Sequence, residues 1–378
     1  MAEKYTAPEL TRKLLAFDTV NPPGNERPCA EFIAGILQAA GFEVRPFEFD
    51  EGRTSLVADL CFNDDRDPIC FSGHLDTVPL GRGAWSKDPF GGQQEGDRIY
   101  GRGAADMKGG LAAMIVAALN IAGSSTGVGG MKLVLTAGEE NGCQGAAYLA
   151  GCESALGQAG ALVVGEPTAN YPVVGHKGAF WLEAVTTGLT AHGAMPDQGV
   201  NAIYRAARAI AKLETFDFGI DPHPVLGAPT LNVGTISGGI NINSVPDRTS
   251  FAIDLRLIAG QSIDQVHRQL QTLLGDEVEL NRLTAAPAIY TDPGHGWVQE
   301  VFSIMETYLG ERPVPRAEAY FTDASALTAA FGDPPTVILG PGQPEMAHKT
   351  DEYCDLSRIE TAVRIYEEIA CRWCRIEP

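Results

Sequence analysis

The sequence predicts an α/β protein interrupted by an inserted α+β domain, and three observations lead there. The first half of the chain alternates short apolar runs with helical stretches, the pattern of layers built on a mixed, largely parallel sheet. From about Gly178 the order becomes strand, helix, strand, strand, helix, strand, which suits helices on one face of an antiparallel sheet. After about Ala286 helices and one more apolar run return. The domains expected are therefore residues 1–175 with 286–378, and an insertion over 176–285. A chain of 378 residues is long enough for two cores.

The opening "MAEKYTAPELTRKLLAFDTVNPPGNE" mixes acids and bases with short apolar groups and reads as an amphipathic helix rather than a signal peptide. "TSLVADLCF", "PICFSGHLD", "MKLVLTAGEE" and "ALVVGEPT" read as strands; "GGLAAMIVAALNIAG" and "GCQGAAYLAGCESAL" read as helices. In the insertion, "AFWLEAVTTG", "TLNVGTISGG", "RTSFAIDLRLIAG" and "DEVELNRLT" read as strands, with "NAIYRAARAIAKLETF" and "SIDQVHRQLQTLLG" as helices. "PTVILG" is a late strand, followed by a Gly/Pro-rich turn and His348.

Composition excludes several classes. The formal net charge of −20 repels phosphate backbones and anionic lipid, so neither nucleic acid nor membrane is expected as a partner. No apolar run reaches spanning length. Eight scattered cysteines read as reduced thiols in a cytoplasmic protein. Cys371 and Cys374 form one C-x-x-C without the second pair a zinc knuckle needs or the βαβ context of a redox motif, so they read as thiols on a helix.

The chemistry gathers where strands end. His74 and Asp76 close an apolar run at a spacing of two, a pattern that suggests a metal ligand and the acceptor that orients it. Glu139 and Glu140, Glu166 and His348 also follow apolar strands, while Asp106 lies in the glycine-rich turn "YGRGAADMKGG". Any one of these acids alone would read as solvated or capping. Several sheet ends presenting ligand chemistry together point to the crevice where open α/β sheets bind. Two histidines and three carboxylates, His74, Asp106, Glu140, Glu166 and His348, suit zinc, cobalt or manganese in an open catalytic site. Five ligands serve two ions roughly 3.5–4 Å apart if one carboxylate bridges, and Asp106 is placed to do so.

The stretches "SGHLDTVP", "YGRGAADMKGG", "AGEENGCQGA", "VVGEPT", "TAHGAMPDQGVNAI", "GGININSVPD" and "LGPGQPEMAHKTDEY" together resemble the M20 metallopeptidase family, in its order and over nearly the whole chain. The likeness is to acetylornithine deacetylases and succinyl-diaminopimelate desuccinylases. It implies a zinc-peptidase-like catalytic domain and a ferredoxin-like insertion that serves as dimerisation or lid domain. It also implies two zinc ions, one on His74 and Glu166, the other on Glu140 and His348, with Asp106 between them. Asp76 would then orient His74 and Glu139 would be the general base. His192, a loop histidine on the residues alone, would reach across a homodimer to stabilise the oxyanion in the partner's site. Asn243 and Arg256, and more weakly Lys177 and Thr322, would bind substrate.

The activity so implied is removal of an acyl group from an N-acyl amino acid. A dipeptidase or glutamate carboxypeptidase with the same metal chemistry is the alternative, and a metal-dependent binding protein without catalysis the remote one. The chain departs from the desuccinylase pattern: "AYFTDASAL" stands where a "GGTSDGRF"-like stretch is typical, and "GHKGAF" replaces an arginine-rich segment.

Overall fold

The computed structural model describes residues 5–63, 65–123 and 127–376, so the first four residues of the opening segment and the last two of the C-terminal one lie outside the described residues. The chain separates into two compact units, Met1–Gly175 with Tyr290–Arg316 and Thr322–Pro378, and His176–Ile289 with Ala317–Phe321.

The first unit is built on a six-stranded sheet. Its order is Glu43–Asp50, Arg53–Cys61, Gly130–Thr136, Ile69–His74, Ala161–Val164, Thr336–Ile338. The first two pairings are antiparallel and the last three parallel. The four strands of the parallel part are buried along their whole length, which explains their unbroken apolar runs. Register sets the site: His74 lies opposite Thr136, and Ser72 opposite Val164. The residues that follow Thr136 and Val164 therefore emerge at the same sheet edge as His74.

Behind the sheet runs the helix Gly109–Ala122, apolar on nearly every side and buried through most of its length. Contrary to the sequence expectation, one window, Ala104–Ala122, is long and apolar enough to cross a membrane, but 89% of it is buried inside the protein, as a core helix should be. The C-terminal helix Leu356–Cys374 packs on it. On that helix Cys371 and Cys374 are free thiols, and the Cys374 thiol donates to the Gly130 carbonyl at 3.4 Å.

Two elements differ from the sequence reading. The opening helix spans only Ala7–Leu15, started by a capping box between Thr6 and Glu9. Beyond it Thr19–Asn21 run beside Leu75–Thr77, with Asn21 N–H on Thr77 O at 2.8 Å and Thr77 N–H on Thr19 O at 3.0 Å. Pro22, Pro23 and Gly24 prevent a helix there. The helix read over "GCQGAAYLAGCESAL" is confined to Gln144–Gly151, because Gly142 adopts a positive φ and Cys152 is extended.

The second unit is a four-stranded antiparallel sheet in the order Thr230–Gly238, Arg248–Leu257, Gly178–Thr187, Val278–Ala286. With helices Ala202–Leu213 and Ile263–Leu274 the chain order is βαββαβ, the ferredoxin-like arrangement. Asn201 and Ser262 cap the two helices, and Phe180, Leu182, Phe251, Leu255, Val266 and Leu270 form part of the core beneath them.

Two helical glycines separate backbone preference from packing. A Cβ on Gly35 would meet nothing within 4 Å, whereas one on Gly110 would stand 2.6 Å from the Gly165 carbonyl oxygen, a backbone atom that cannot swing aside. Gly35→Ala should stabilise the protein by about 0.5–1 kcal/mol through helix propensity. Gly110→Ala should destabilise it, because overpacking of ~1–3 kcal/mol outweighs that gain. Urea midpoints of the two variants moving in the same direction would refute this packing.

Candidate metal centre

Every sequence-predicted ligand comes to the sheet edge. His74 ends its strand, Glu139 and Glu140 follow the strand ending at Thr136, and Glu166 follows the strand ending at Val164. His348 lies past a short 3-10 turn, Pro344–Met346, in the segment after Ile338. Asp106 sits in the irregular turn Ala104–Lys108 ahead of the buried helix, with φ −125° and ψ 92°.

The five candidates form two clusters that share Asp106. His74, Asp106 and Glu166 place one ligand atom each within 4.8 Å of one another, and so do Asp106, Glu140 and His348. The two oxygens of Asp106 face different histidines: Oδ1 is 3.0 Å from His74 Nε2, and Oδ2 is 3.4 Å from His348 Nε2. Glu166 Oε2 lies 3.7 Å from His74 Nε2, and Glu140 Oε2 lies 3.1 Å from His348 Nε2. Glu140 Oε1 is buried with no hydrogen-bond partner. Two imidazoles and three acids, one with an orphaned carboxylate oxygen, fit the donor set a pair of divalent cations requires. Glu139 belongs to neither cluster. It falls instead within 4.8 Å of Cys143 and Asp323, all three buried.

Residues 70–372 match peptidase family M20/M25/M40. The chain belongs to this family. The acetylornithine deacetylase of Proteus mirabilis (strain HI4320) is 30% identical over 386 residues, covering 99% of this chain and 97% of that protein. The M20 family metallo-carboxypeptidase Sso-CP2 from Sulfolobus solfataricus has a TM-score of 0.82 at 19% identity, covering 97% of this chain and 98% of that one. The YXEP protein of Bacillus subtilis, a dinuclear metal-binding peptidase of family M20, has a TM-score of 0.73 at 15% identity, with 97% of both chains covered. This M20-family protein is thus a metal-dependent hydrolase acting on amide bonds.

In the M20-family protein the support around the ligands is specific. His74 Nδ1 lies 2.9 Å from the backbone carbonyl of Asp76, an acceptor only, which fixes Nδ1 as donor and turns Nε2 toward the carboxylates. The Asp76 carboxylate is 3.7 Å from that ring and does other work. It accepts the N–H groups of Glu139 at 3.0 Å and Glu140 at 3.2 Å, and the side-chain amide of Asn21 at 2.8 Å. Asn141 in turn donates to Asn21 Oδ1 at 2.6 Å. So Asp76 orients His74 through its main chain and the paired glutamates through its side chain.

The remaining predicted residues lie elsewhere. Thr322 is fully buried in the first unit, its hydroxyl accepting the Ala324 N–H at 3.1 Å. Lys177, His192, Asn243 and Arg256 belong to the second unit. His192 and Asn243 are exposed neighbours, joined where Gly193 N–H meets Asn243 O at 2.7 Å. Arg256 pairs with Asp254 at 3.0 Å and lies 5.8 Å from the ring centroids of both Trp181 and Phe321. Lys177 donates to the Ala228 carbonyl at 2.6 Å.

Sequence reasoning missed Asn21, Cys143, Asp323 and Glu352. Asp323 takes the Thr136 hydroxyl on Oδ2, and its pKa is pushed up to about 6, chiefly by burial. Only proximity in the chain to named residues could have drawn attention to three of them, Cys143 to Glu140, Asp323 to Thr322 and Glu352 to His348, and Asn21 has no such neighbour.

The electrostatics of these side chains pull in opposite directions. Burial raises the carboxyls of Glu139, Glu140 and Glu166, the last to about 7, although His74 pulls Glu166 the other way. Burial also opposes charge on Asp106, yet hydrogen bonds from His348 and His74 push it below the usual carboxylate range. His348 is raised to about 10 by its contacts with Asp106 and then Glu140. Burial disfavours a charged His74, but Glu166 and Asp106 outweigh it and hold its pKa well above the ordinary value. Metals bind neutral imidazole and ionised carboxylate, so loading must expel these protons. Proton and metal compete, and metal affinity should therefore rise with pH up to the region where His348 loses its proton, about 10. Calorimetric titration of metal into chelator-treated protein, in two buffers of different ionisation enthalpy, should register proton release. A pH-independent affinity would exclude this donor set.

Proposed function

We propose that this M20-family hydrolase is a dimetal deacylase that removes a small acyl group from an N-acyl amino acid. The observation that carries the reading is the shared Asp106, whose two oxygens face two separate His–carboxylate pairs, with Glu139, the chain neighbour of Glu140, in neither cluster. The full-length likeness to an acetylornithine deacetylase supports an N-acetyl amino acid over a peptide as the substrate. The carboxypeptidase likeness of fold keeps a dipeptide-like substrate as the second reading.

His74 and Glu166 would hold one ion and Glu140 and His348 the other, zinc foremost, with cobalt or manganese as substitutes. When bound, such a pair supplies a water of lowered pKa and polarises the scissile carbonyl. Glu139 then takes a proton from the attacking water and delivers it to the leaving nitrogen. Its elevated pKa, caused by burial and then by Glu166, suits a group that must hold that proton between the two steps. The Asp76 carboxylate keeps the Glu139 and Glu140 backbone in place, so the base and its neighbouring ligand move together.

The second unit is proposed to mediate a homodimer and to bring His192 to the partner's site as an oxyanion donor. What supports a dimer is the open sheet edge Thr230–Gly238, with exposed Ile236, Ile240 and Ile242 on or beside it and Tyr204 on the neighbouring helix. Arg256, Lys177 and Asn243 are proposed to receive the substrate carboxylate, and Thr322 to contribute from the first unit. Eight free cysteines favour a reducing compartment, the cytoplasm.

Hydrolysis of N-acetyl, N-formyl and N-succinyl amino acids and of dipeptides by the metal-reconstituted protein tests the substrate. Preference for dipeptides would replace deacylation with the peptidase reading. Glu139→Ala should lose about 10²–10⁴ in turnover with both metals retained; near-normal turnover would remove Glu139 from its role. Mixing Glu139→Ala with His192→Ala subunits should restore activity in heterodimers, and verified mixing without recovery would argue against action across the interface.

A further inference from the structure

Asp106, shared by the two clusters, stands on a turn that its own backbone bonds hold only in part. Arg102–Asp106 is irregular: Gly103 has a φ of 91°, and Asp106 departs from helical geometry. Ala104 N–H reaches the Gly101 carbonyl at 3.0 Å and Lys108 N–H the Gly103 carbonyl at 2.7 Å, but the N–H groups of Gly103, Ala105 and Asp106 take an acceptor from outside the turn.

The acceptor comes from far away in sequence. Glu352, a few positions after His348 in "HKTDEY", is fully buried. Its Oε1 accepts the N–H groups of Ala105 at 2.8 Å and Asp106 at 3.0 Å. Its Oε2 accepts Arg102 Nη1 at 2.6 Å and the Gly103 N–H at 3.0 Å. Four donors from one short turn thus converge on a single carboxylate. Arg102, equally buried, supplies the compensating charge and is itself held by the Pro79 carbonyl at 3.2 Å and by the Trp85 ring at 5.2 Å. Two flanking contacts fix the segment: Gly101 N–H meets Glu352 O at 2.9 Å, and Tyr353–Asp355 pairs with Arg98–Tyr100.

We propose that Glu352 is a positioning residue that aims Asp106 between the two metal sites, so that one segment supplies both the ligand His348 and the clamp on the ligand it shares with His74. The inference rests on the dimetal reading above. Glu352 touches neither imidazole; it acts through the Asp106 backbone. An isosteric Glu352→Gln change keeps the volume but turns one acceptor oxygen into a donor facing N–H groups, so the turn loses its grip with little change in packing.

The test is Co(II) titration of metal-free wild type, Glu352→Gln and Glu352→Asp, followed by visible absorption and chelator competition, with thermal unfolding of the metal-free forms alongside. Wild type should bind two ions per chain. Glu352→Gln should bind at least one of them roughly 10–100-fold more weakly, the range seen when a ligand's support is removed. Its Co(II) spectrum should change, and its turnover should recover at high metal with KM for substrate unaltered. Glu352→Asp, which keeps both acceptors on a shorter stem, should fall between the two and stands in if the Gln variant does not fold. Unchanged affinity and spectrum in a variant whose metal-free form merely melts earlier would make Glu352 structural and overturn the proposal. Fewer than two ions on wild type would instead remove the dimetal reading, and this one with it.

Discussion

Too many carboxylates are buried in one place. Asp76, Asp106, Glu139 and Glu166 are all but inaccessible, Glu140 is nearly so, and Asp323 lies next to Glu139. Isolated buried charges are strongly unfavourable unless paired. Two imidazoles do not balance this set, and the opposed shifts within it, Asp106 downward and Glu139, Glu140 and Glu166 upward, express that imbalance. Divalent cations held there would relieve it. Much of the surrounding architecture follows from the same constraint, because carboxylates not facing the cations must be satisfied by the backbone. Asp76 takes two main-chain N–H groups and Glu352 takes three.

The sheet explains how such a site can be assembled from separated segments. Parallel strands in register deliver their following residues to one edge, and the pairing of His74 with Thr136 and of Ser72 with Val164 fixes that edge within one or two residues. The buried helix Gly109–Ala122 must lie close behind the sheet to carry Asp106 there. Gly110 against the Gly165 carbonyl permits that approach, which ties helix packing to ligand placement.

The second unit follows different physics. It has its own apolar core and a regular βαββαβ order, and its polar residues of interest stand on exposed or half-exposed positions. Arg256 is already engaged by Asp254 and lies against a pair of packed aromatic rings, so a substrate carboxylate would have to share or displace an existing pair rather than meet a free cation. Any carboxylate binding at Arg256 would therefore be a competition among charges, which residue type alone does not reveal.

Much was legible in the chain before any fold was known. An apolar run ending in His or Glu marks a buried strand and its exit, so His74, Glu139, Glu140, Glu166 and His348 could be named from local pattern, as could the βαββαβ insertion from its alternation. Asn21, Asp323 and Glu352 could not, because an acid or amide in a polar turn looks solvated until distant segments bury it. The main-chain role of Asp76 toward His74 was hidden for the same reason. The sequence by itself determined which donor atoms are present and at which ends of which strands, since residue type and period are local properties. Only the tertiary structure decided which donors share an oxygen, which carboxylate faces a backbone N–H and which faces an imidazole. Those choices depend on contacts such as Glu352 with Asp106, made between segments that lie hundreds of residues apart in the chain.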